Sequence, residues 1–151
     1  MIRRTIESDY EGIVDVALKS GLFDTDQLDV LSAMIREPSE QDIWFVDLTD
    51  DRPTGVAYLA PEKFTEGTWN LYFIAVHPEY QHRGRGKSIL EFIYDWLIRE
   101  DQRMLIVETA GIPDFQYVRD FYSANGFENE GRIRDFYAEG VDKVIFRKLL
   151  S

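Results

Sequence analysis

The sequence contains no cysteine. This absence excludes disulfides, thiolate metal sites and a cysteine nucleophile. Basic residues are also fewer than acidic ones. The 17 Lys and Arg and the 28 Asp and Glu give a net charge of -11. A general nucleic-acid binder would carry a basic surface instead. We therefore expect no nucleic-acid partner.

Long apolar runs are missing as well. No segment has the roughly 20 apolar residues that a membrane-spanning helix needs, and Met1–Glu7 lacks the apolar core of a secretion signal. The chain has no internal repeat and no linker rich in Pro, Gly or Ser. We expect a single domain over residues 1–151, no membrane partner and a cytoplasmic location.

The residues that are present, 44% of them hydrophobic and 14% aromatic, suffice for a packed core. Helical spacing of apolar residues alternates along the chain with short apolar runs. This order predicts an α/β fold with a mixed sheet and helices on both faces. The predicted strands are Met1–Thr5, Ile43–Leu48, Gly55–Leu59, Trp69–Val76 (buried on both faces), Met104–Val107, Arg132–Tyr137 and Lys143–Leu149, with a turn over Thr49–Thr54; the predicted helices are Ser8–Lys19 with Ser8 as N-cap, Asp26–Arg36, one that opens at Gly86, and Tyr117–Ala124.

The stretch from Gln81 to Ser88 concentrates positive charge on this acidic chain. Three basic residues fall within five positions, and Gly84 and Gly86 lie among them. The stretch follows a predicted strand and opens a predicted helix, where bare backbone N–H groups bind phosphate. A plain strand-to-helix turn with solvated basic side chains is the alternative. We expect a phosphorylated ligand here.

Three phosphate-binding patterns can be compared with this loop. A Walker A loop ends in Gly-Lys-Ser or Gly-Lys-Thr, as Gly86-Lys87-Ser88 does. The pattern also requires a glycine five positions before Gly86, where this chain has Gln81. A dinucleotide-binding loop needs a third glycine where the chain has Ile89. The third pattern, Gln/Arg-x-x-Gly-x-Gly/Ala, matches Gln81, Gly84 and Gly86. It resembles the acyl-coenzyme A signature of the GNAT superfamily of N-acetyltransferases.

A second motif strengthens the resemblance. The run from Phe121 to Phe127 is similar to the aromatic-Tyr-x-x-x-Gly-Phe helix end of the superfamily. By position, the resemblance implies that Tyr122 protonates the departing thiolate. A tyrosine with its ordinary pKa of about 10 holds a proton at neutral pH and can deliver it. Packing against the sheet is the alternative role, and Phe115 departs from the family pattern because relatives often carry Asn there.

The resemblance implies the GNAT fold, with a mostly antiparallel sheet that splays between two adjacent strands. It implies acetyl-CoA as co-substrate, no metal, and direct attack by a primary amine within a ternary complex. A non-catalytic acyl-CoA sensor of the same fold is the alternative. The residues implied in cofactor binding are Ile74, Ala75, Val76, Gln81, His82, Arg83, Gly84, Arg85, Gly86, Lys87 and Ser88.

The acceptor amine must lose a proton before it attacks. Glu108, at the end of a predicted strand, is our first candidate for the base, although a solvated carboxylate is equally consistent with its position. His77 and His82 are further candidates.

The acceptor is expected to be a small-molecule or peptide amine. Nine acidic residues against the single basic Arg36 between Leu22 and Asp51 favour a cationic one, whereas a solvated acidic surface explains the same charges. Dimers are common among relatives, so the resemblance also makes a homodimer an assembly to test.

Overall fold

The computed structural model of the protein describes residues 1–150 as an α/β fold. Its strands are β1 (Ile2–Arg4), β2 (Ile43–Thr49), β3 (Arg52–Pro61), β4 (Thr68–Val76), β5 (Met104–Ala110), β6 (Glu128–Ala138) and β7 (Val141–Leu149), and its helices are α1 (Tyr10–Lys19), α2 (Leu28–Arg36), α3 (Arg85–Arg99) and α4 (Gln116–Ala124).

The seven strands form one sheet in the order β1-β2-β3-β4-β5-β7-β6. Strands β4 and β5 run parallel, whereas β1–β2, β2–β3, β5–β7 and β6–β7 are antiparallel pairs. The predicted α/β fold with a mixed, mostly antiparallel sheet is therefore confirmed.

The residues group into two compact units. The first unit holds Met1–Ala60 and Phe73–Trp96, and the second holds Pro61–Tyr72 and the chain from Leu97 onward. The single domain over residues 1–151 stays a prediction.

In the first unit, helices cover both faces of strand β2. Trp44 lies on one face, where its ring stacks on Tyr58 with centroids 4.5 Å apart. Phe45 points to the other face and contacts Phe92 and Trp96 of α3. This alternation follows from the two-residue repeat of a strand. Helices α1 and α2 contribute Ile13, Val16, Ala17, Leu31 and Ile35 to the core that contains Trp44.

In the second unit, strand β5 lies between β4 and β7. The parallel ladder joins Thr68–Leu71 to Met104–Val107, and among the described residues it ends there. The antiparallel ladder with β7 runs along the whole of β5. Strand β4 was predicted to be buried on both faces, which is wrong from Tyr72 onward, because Tyr72 follows the end of the ladder and is 48% exposed.

In the N-terminal half, the predicted pairing of β2 with β3 is confirmed with a shorter turn, and the predicted N-cap is wrong. The turn predicted over Thr49–Thr54 is a two-residue turn at Asp50 and Asp51, whose φ values are 50° and 63°. Aspartate tolerates this left-handed conformation better than most residues, and such turns suit hairpins. Ser8 is not the N-cap of the first helix, because Glu7–Asp9 form a 3₁₀ turn and the Asp9 carboxylate accepts the Ile6 N–H at 2.8 Å.

Strand β6 begins four residues earlier than predicted, at Glu128. The added residues are three exposed polar residues followed by Gly131, so they lack the apolar alternation on which the prediction relied. None of the helices that residues 1–150 form is long and apolar enough to cross a membrane.

Candidate functional site

The predicted phosphate loop lies in the first unit, between strand β4 and helix α3. The Gln81 side chain donates from Nε2 to the Val76 carbonyl at 2.9 Å and so links the loop to the last residue of strand β4. His82 and Gly84 both adopt left-handed backbone angles, with φ of 61° and 77°. A Cβ atom on Gly84 would meet nothing within 4 Å, so the backbone angle, not crowding, calls for glycine there.

Helix α3 begins directly after Gly84. The Ser88 N–H and the Ser88 hydroxyl both donate to the Gly84 carbonyl at 3.0 Å. The N–H groups of the first turn precede these bonds and have no partner within the helix. Together with the positive end of the helix dipole, they form a site that suits a phosphate group.

The three basic side chains of the loop have different surroundings. Arg85 donates from Nη1 to Thr49 Oγ1 at 2.7 Å and lies 3.4 Å from Asp47 Oδ2, so strand β2 holds its guanidinium. Arg83 and Lys87 are exposed. Both arginines also lie over the Tyr80 ring, with Cζ 5.1 Å from the ring centroid for Arg85 and 5.7 Å for Arg83.

Strand β4 supplies the other residues predicted to bind the cofactor. Ala75 is buried, whereas Ile74 and Val76 are partly exposed. They lead directly into the loop, so one continuous segment carries both predicted groups of cofactor residues.

Tyr122 lies in the second unit and is buried, with 3% exposure. Its ring contacts Phe127 at a centroid distance of 5.2 Å and Phe146 of β7 at 6.3 Å. Gly126 follows the end of helix α4, and its φ of 89° lets the Phe127 N–H return to the Tyr122 carbonyl at 3.1 Å. The Gly-Phe part of the motif therefore brings Phe127 back onto Tyr122.

Glu108 and Tyr122 lie on opposite faces of the sheet in this unit. Val107 pairs with Phe146, and Glu108 pairs with Ile145. Directly paired residues share a face and successive residues alternate, so Glu108 points away from the face that Phe146 and Tyr122 share.

Four side chains of the second unit form what we call the Asn70 cluster: Glu62, Asn70, Glu108 and Lys143. Asn70 Nδ2 donates to Glu62 Oε1 at 2.8 Å and to Glu108 Oε1 at 3.3 Å. The second oxygen of Glu108 forms an ion pair with Lys143 Nζ. That ammonium also lies 3.7 Å from the centroid of the Phe136 ring.

Of the four residues in this cluster, only Glu108 was predicted from the sequence as a site residue. Asn70 gave a usable signal, because it is the one amide or charged residue in the apolar run Trp69–Val76. Glu62 and Lys143 gave none, because neither belongs to a motif. The negative charge of Glu108 also affects Tyr137. Burial, and to a smaller extent this charge, raise the pKa of the Tyr137 phenol.

The two histidines lie on either side of the short turn Pro78–Tyr80, between strand β4 and helix α3. His77 Nδ1 accepts the Glu79 N–H at 3.2 Å and so caps the short turn Pro78–Tyr80. His82 is exposed within the loop.

Several residues of the acidic segment between Leu22 and Asp51 have structural roles. Asp42 accepts the Ser39 N–H at 3.0 Å, and Asp50 and Asp51 form the β2–β3 turn. Asp47 is buried and paired with Arg85, and the Met1 amino group lies 3.3 Å from its other oxygen. Within residues 1–150, no three His, Asp or Glu side chains gather into a group that could hold a metal ion.

Known proteins share this architecture. A family model described as acetyltransferase (GNAT) domain matches residues 40–129. A GNAT-family protein from Desulfovibrio desulfuricans is 31% identical and aligns over 100% of this chain and 99% of its own, with a TM-score of 0.95. The ribosomal-protein-S18-alanine N-acetyltransferase of Escherichia coli is 19% identical over 100% and 94% of the two chains, with a TM-score of 0.82. An aminoglycoside 6'-N-acetyltransferase solved with coenzyme A is 10% identical over 100% and 97%, with a TM-score of 0.79. The family match and the 31% identical relative show that this chain belongs to the GNAT acetyltransferase family.

Proposed function

We propose that the protein is an N-acetyltransferase that moves the acetyl group of acetyl-CoA to a primary amine by direct attack in a ternary complex. The observation that carries this proposal is the loop from Gln81 to Ser88, where left-handed Gly84 leads into the open first turn of α3. The structural neighbour solved with coenzyme A supports the choice of ligand.

In this proposal the cofactor lies along one segment of the chain. The N–H groups at the start of α3 bind the diphosphate, and Arg83 and Lys87 neutralise its outer charge. The backbone of Ile74, Ala75 and Val76 holds the pantetheine arm, and the Val76 N–H polarises the thioester carbonyl. Arg85 fixes the position of the loop, because its guanidinium is bound to Asp47 and Thr49 of strand β2.

In this reaction the acceptor nitrogen loses two protons in all, and the leaving sulfur gains one. The acceptor ammonium gives a proton to a carboxylate, with Glu108 as the first candidate, and the free nitrogen attacks the thioester carbon. The carbon–sulfur bond breaks, and Tyr122 protonates the leaving thiolate. The attached nitrogen then gives up its second proton, which restores the Tyr122 phenol. The amine is a small-molecule or peptide amine. A cytoplasmic location and a homodimer also remain predictions.

A sensor that binds acyl-CoA without turnover is a second candidate. One observation favours it, because the ion pair with Lys143 already occupies the carboxylate predicted to act as base. The two functions differ in thiol release, since a sensor binds coenzyme A but frees no thiol above background when an amine is present.

The test is an acetylation screen over polyamines, aminoglycosides, amino acids and peptide amines. Thiol release from acetyl-CoA is recorded for each amine, and mass spectrometry identifies the acetylated product. Calorimetry with coenzyme A and, separately, with ATP and magnesium provides the binding control. Binding of coenzyme A without any acetylated product would favour the sensor, and preference for ATP would point to a nucleotide-binding loop instead.

A further inference from the structure

The Asn70 cluster holds two carboxylates next to one another. Both Glu62 Oε1 and Glu108 Oε1 accept hydrogen bonds from the same nitrogen, Asn70 Nδ2. Asn70 itself is 3% exposed, so its carboxamide is fixed by its surroundings. The amide nitrogen must face the two carboxylates, because an oxygen in its place would face two negative charges with no proton to share.

The charges of the cluster do not balance. Lys143 neutralises Glu108, but among residues 1–150 no Lys, Arg or His forms an ion pair with Glu62. Two carboxylates and one ammonium leave one negative charge. Partly buried carboxylates are costly without a cationic partner, so one further cation would complete the cluster.

A second observation identifies the chemistry of the missing partner. Asn70 Oδ1 is buried and has no hydrogen-bond partner among the described residues. A buried amide oxygen requires an N–H or O–H donor, and such orphaned groups are rare in folded proteins. An ammonium group provides both the positive charge that Glu62 lacks and an N–H donor.

The cluster already shows how it holds an ammonium. Lys143 Nζ pairs with the Glu108 carboxylate and also lies over the face of the Phe136 ring. A carboxylate and an aromatic face are the usual partners of an alkylammonium ion.

We propose that Glu62, Asn70 and Glu108 form the binding site for the ammonium group of the acceptor, with Glu62 as the carboxylate that receives it. The site selects an alkyl amine that is protonated at neutral pH over an uncharged aryl amine, a substrate class that deepens the acetyl transfer proposed above and rests on it. Lys143 limits the affinity of this site for the acceptor ammonium group, because its own positive charge cancels one of the two carboxylate charges.

The experiment uses the full chain labelled with ¹⁵N and follows the side-chain NH₂ signals of Asn70. The probe is n-butylamine at pH 7, where it is an ammonium ion, and n-butanol is the uncharged control. Thiol release from acetyl-CoA is measured with n-butylamine and with aniline in parallel. We expect n-butylamine, but not n-butanol, to move the Asn70 signals, and thiol release to be faster with n-butylamine than with aniline.

Two substitutions should change the affinity in opposite directions. Glu62→Gln keeps the shape but removes the charge, and should weaken n-butylammonium binding about tenfold, a typical value for one lost charged hydrogen bond. Lys143→Met doubles the uncompensated negative charge and should tighten binding. Glu66→Gln, the same change at an exposed residue of the β3–β4 connection, is the matched control. Thermal unfolding and coenzyme A affinity check the fold, and Lys143→Gln replaces Lys143→Met if the latter is unfolded.

Unchanged n-butylammonium affinity in Glu62→Gln, or equal response of Asn70 to n-butanol, would overturn the ammonium site. A tighter complex in the Lys143 variant supports it, because loss of a purely structural ion pair would not strengthen binding of a cation. These results are independent of thiol release. If the ammonium binds as expected while no amine in the screen is acetylated, the proposed acetyl transfer fails and the ammonium site stands.

Discussion

Arg85 and Asp47 form an ion pair that joins the start of helix α3 to strand β2, with Nη1 3.4 Å from Oδ2. The same Nη1 donates to Thr49 Oγ1 at 2.7 Å. A residue of the predicted phosphate loop is thereby anchored to a strand far from it in sequence. The loop geometry then depends on an internal contact, and the loop's basic residues are not interchangeable.

Replacement of Arg85 should affect stability and cofactor binding together. Arg85→Gln leaves the buried Asp47 carboxylate with less compensation, so we expect the free energy of unfolding to fall by about 1–3 kcal/mol. Coenzyme A affinity should fall as well, because the loop loses its anchor. Denaturant unfolding and calorimetry measure the two effects. Arg83→Gln is the matched control and should leave stability within about 0.5 kcal/mol, so equal unfolding curves for both variants would contradict the anchor.

Substitution of Gly84 should weaken coenzyme A binding through the backbone. A valine at φ of 77° costs about 1–3 kcal/mol because L-residues avoid this region, although the space beside Gly84 is open. Gly140, with φ of 79° and equally open space in the β6–β7 turn, provides the control. Gly140→Val should show a similar loss of stability with unchanged coenzyme A affinity. Equal affinities in the two variants would count against the phosphate loop.

Tyr122→Phe should lower turnover and leave coenzyme A affinity nearly unchanged. The phenyl ring preserves the contacts with Phe127 and Phe146, so only the hydroxyl is lost. Loss of a general acid typically slows a reaction about a hundredfold or more. Steady-state kinetics with saturating acetyl-CoA measure the effect, and Tyr117→Phe, at the exposed side of the same helix, is the control. An unaltered rate would show that another group protonates the thiolate.

The contribution of Asp9 to stability should depend on pH. Hydrogen bonds from Arg3, at 2.7 and 3.1 Å, are the main cause of the lowered pKa of the Asp9 carboxyl, with help from the Ile6 N–H and against a smaller effect of burial. Since the folded pKa lies below the unfolded one, the stabilisation is complete above about pH 4 and is lost as the pH falls through the folded value.

The matching variant is Asp9→Asn. At pH 7 it should lower the free energy of unfolding by about 2 kcal/mol, the range of hydrogen bonds to charged groups. The difference from the wild type should shrink steadily as the pH is lowered below about 4. Asp15→Asn removes an exposed carboxylate that pairs with Lys19 and should change stability by less than about 0.5 kcal/mol. A difference for Asp9→Asn that stays constant with pH would refute the assignment.

Features that depend on contiguous residues were predictable from the sequence. The turn from a strand into a helix at residues 81–88 was predicted from contiguous residues, and Gly84 takes a left-handed backbone angle directly before α3. Phosphate binding by this loop stays a prediction. Gly126, just after the end of α4, was also predicted at a left-handed position, and its φ is 89°. The fold class followed from apolar runs and spacing, which report burial directly. The N-cap at Ser8 failed because the neighbouring Asp9 offered a stronger acceptor, held by Arg3.

Features that join distant segments were not predictable. The Asn70 cluster takes its members from the β3–β4 connection and from strands β4, β5 and β7. Only the register of the sheet brings them together, and a shift by one residue would send a side chain to the other face. The pairing of Arg85 with Asp47 is similar, because nine acidic residues lie between Leu22 and Asp51 and sequence offers no reason to choose this one.

The placement of Glu108 and Tyr122 on opposite faces of β5 and β7 separates the polar side chains around the proposed base from the aromatic side chains around the proposed acid. Glu62 and Lys143 can therefore be replaced without disturbing the aromatic packing around Tyr122. Engineering of the preferred amine and preservation of thiol protonation are then separable tasks.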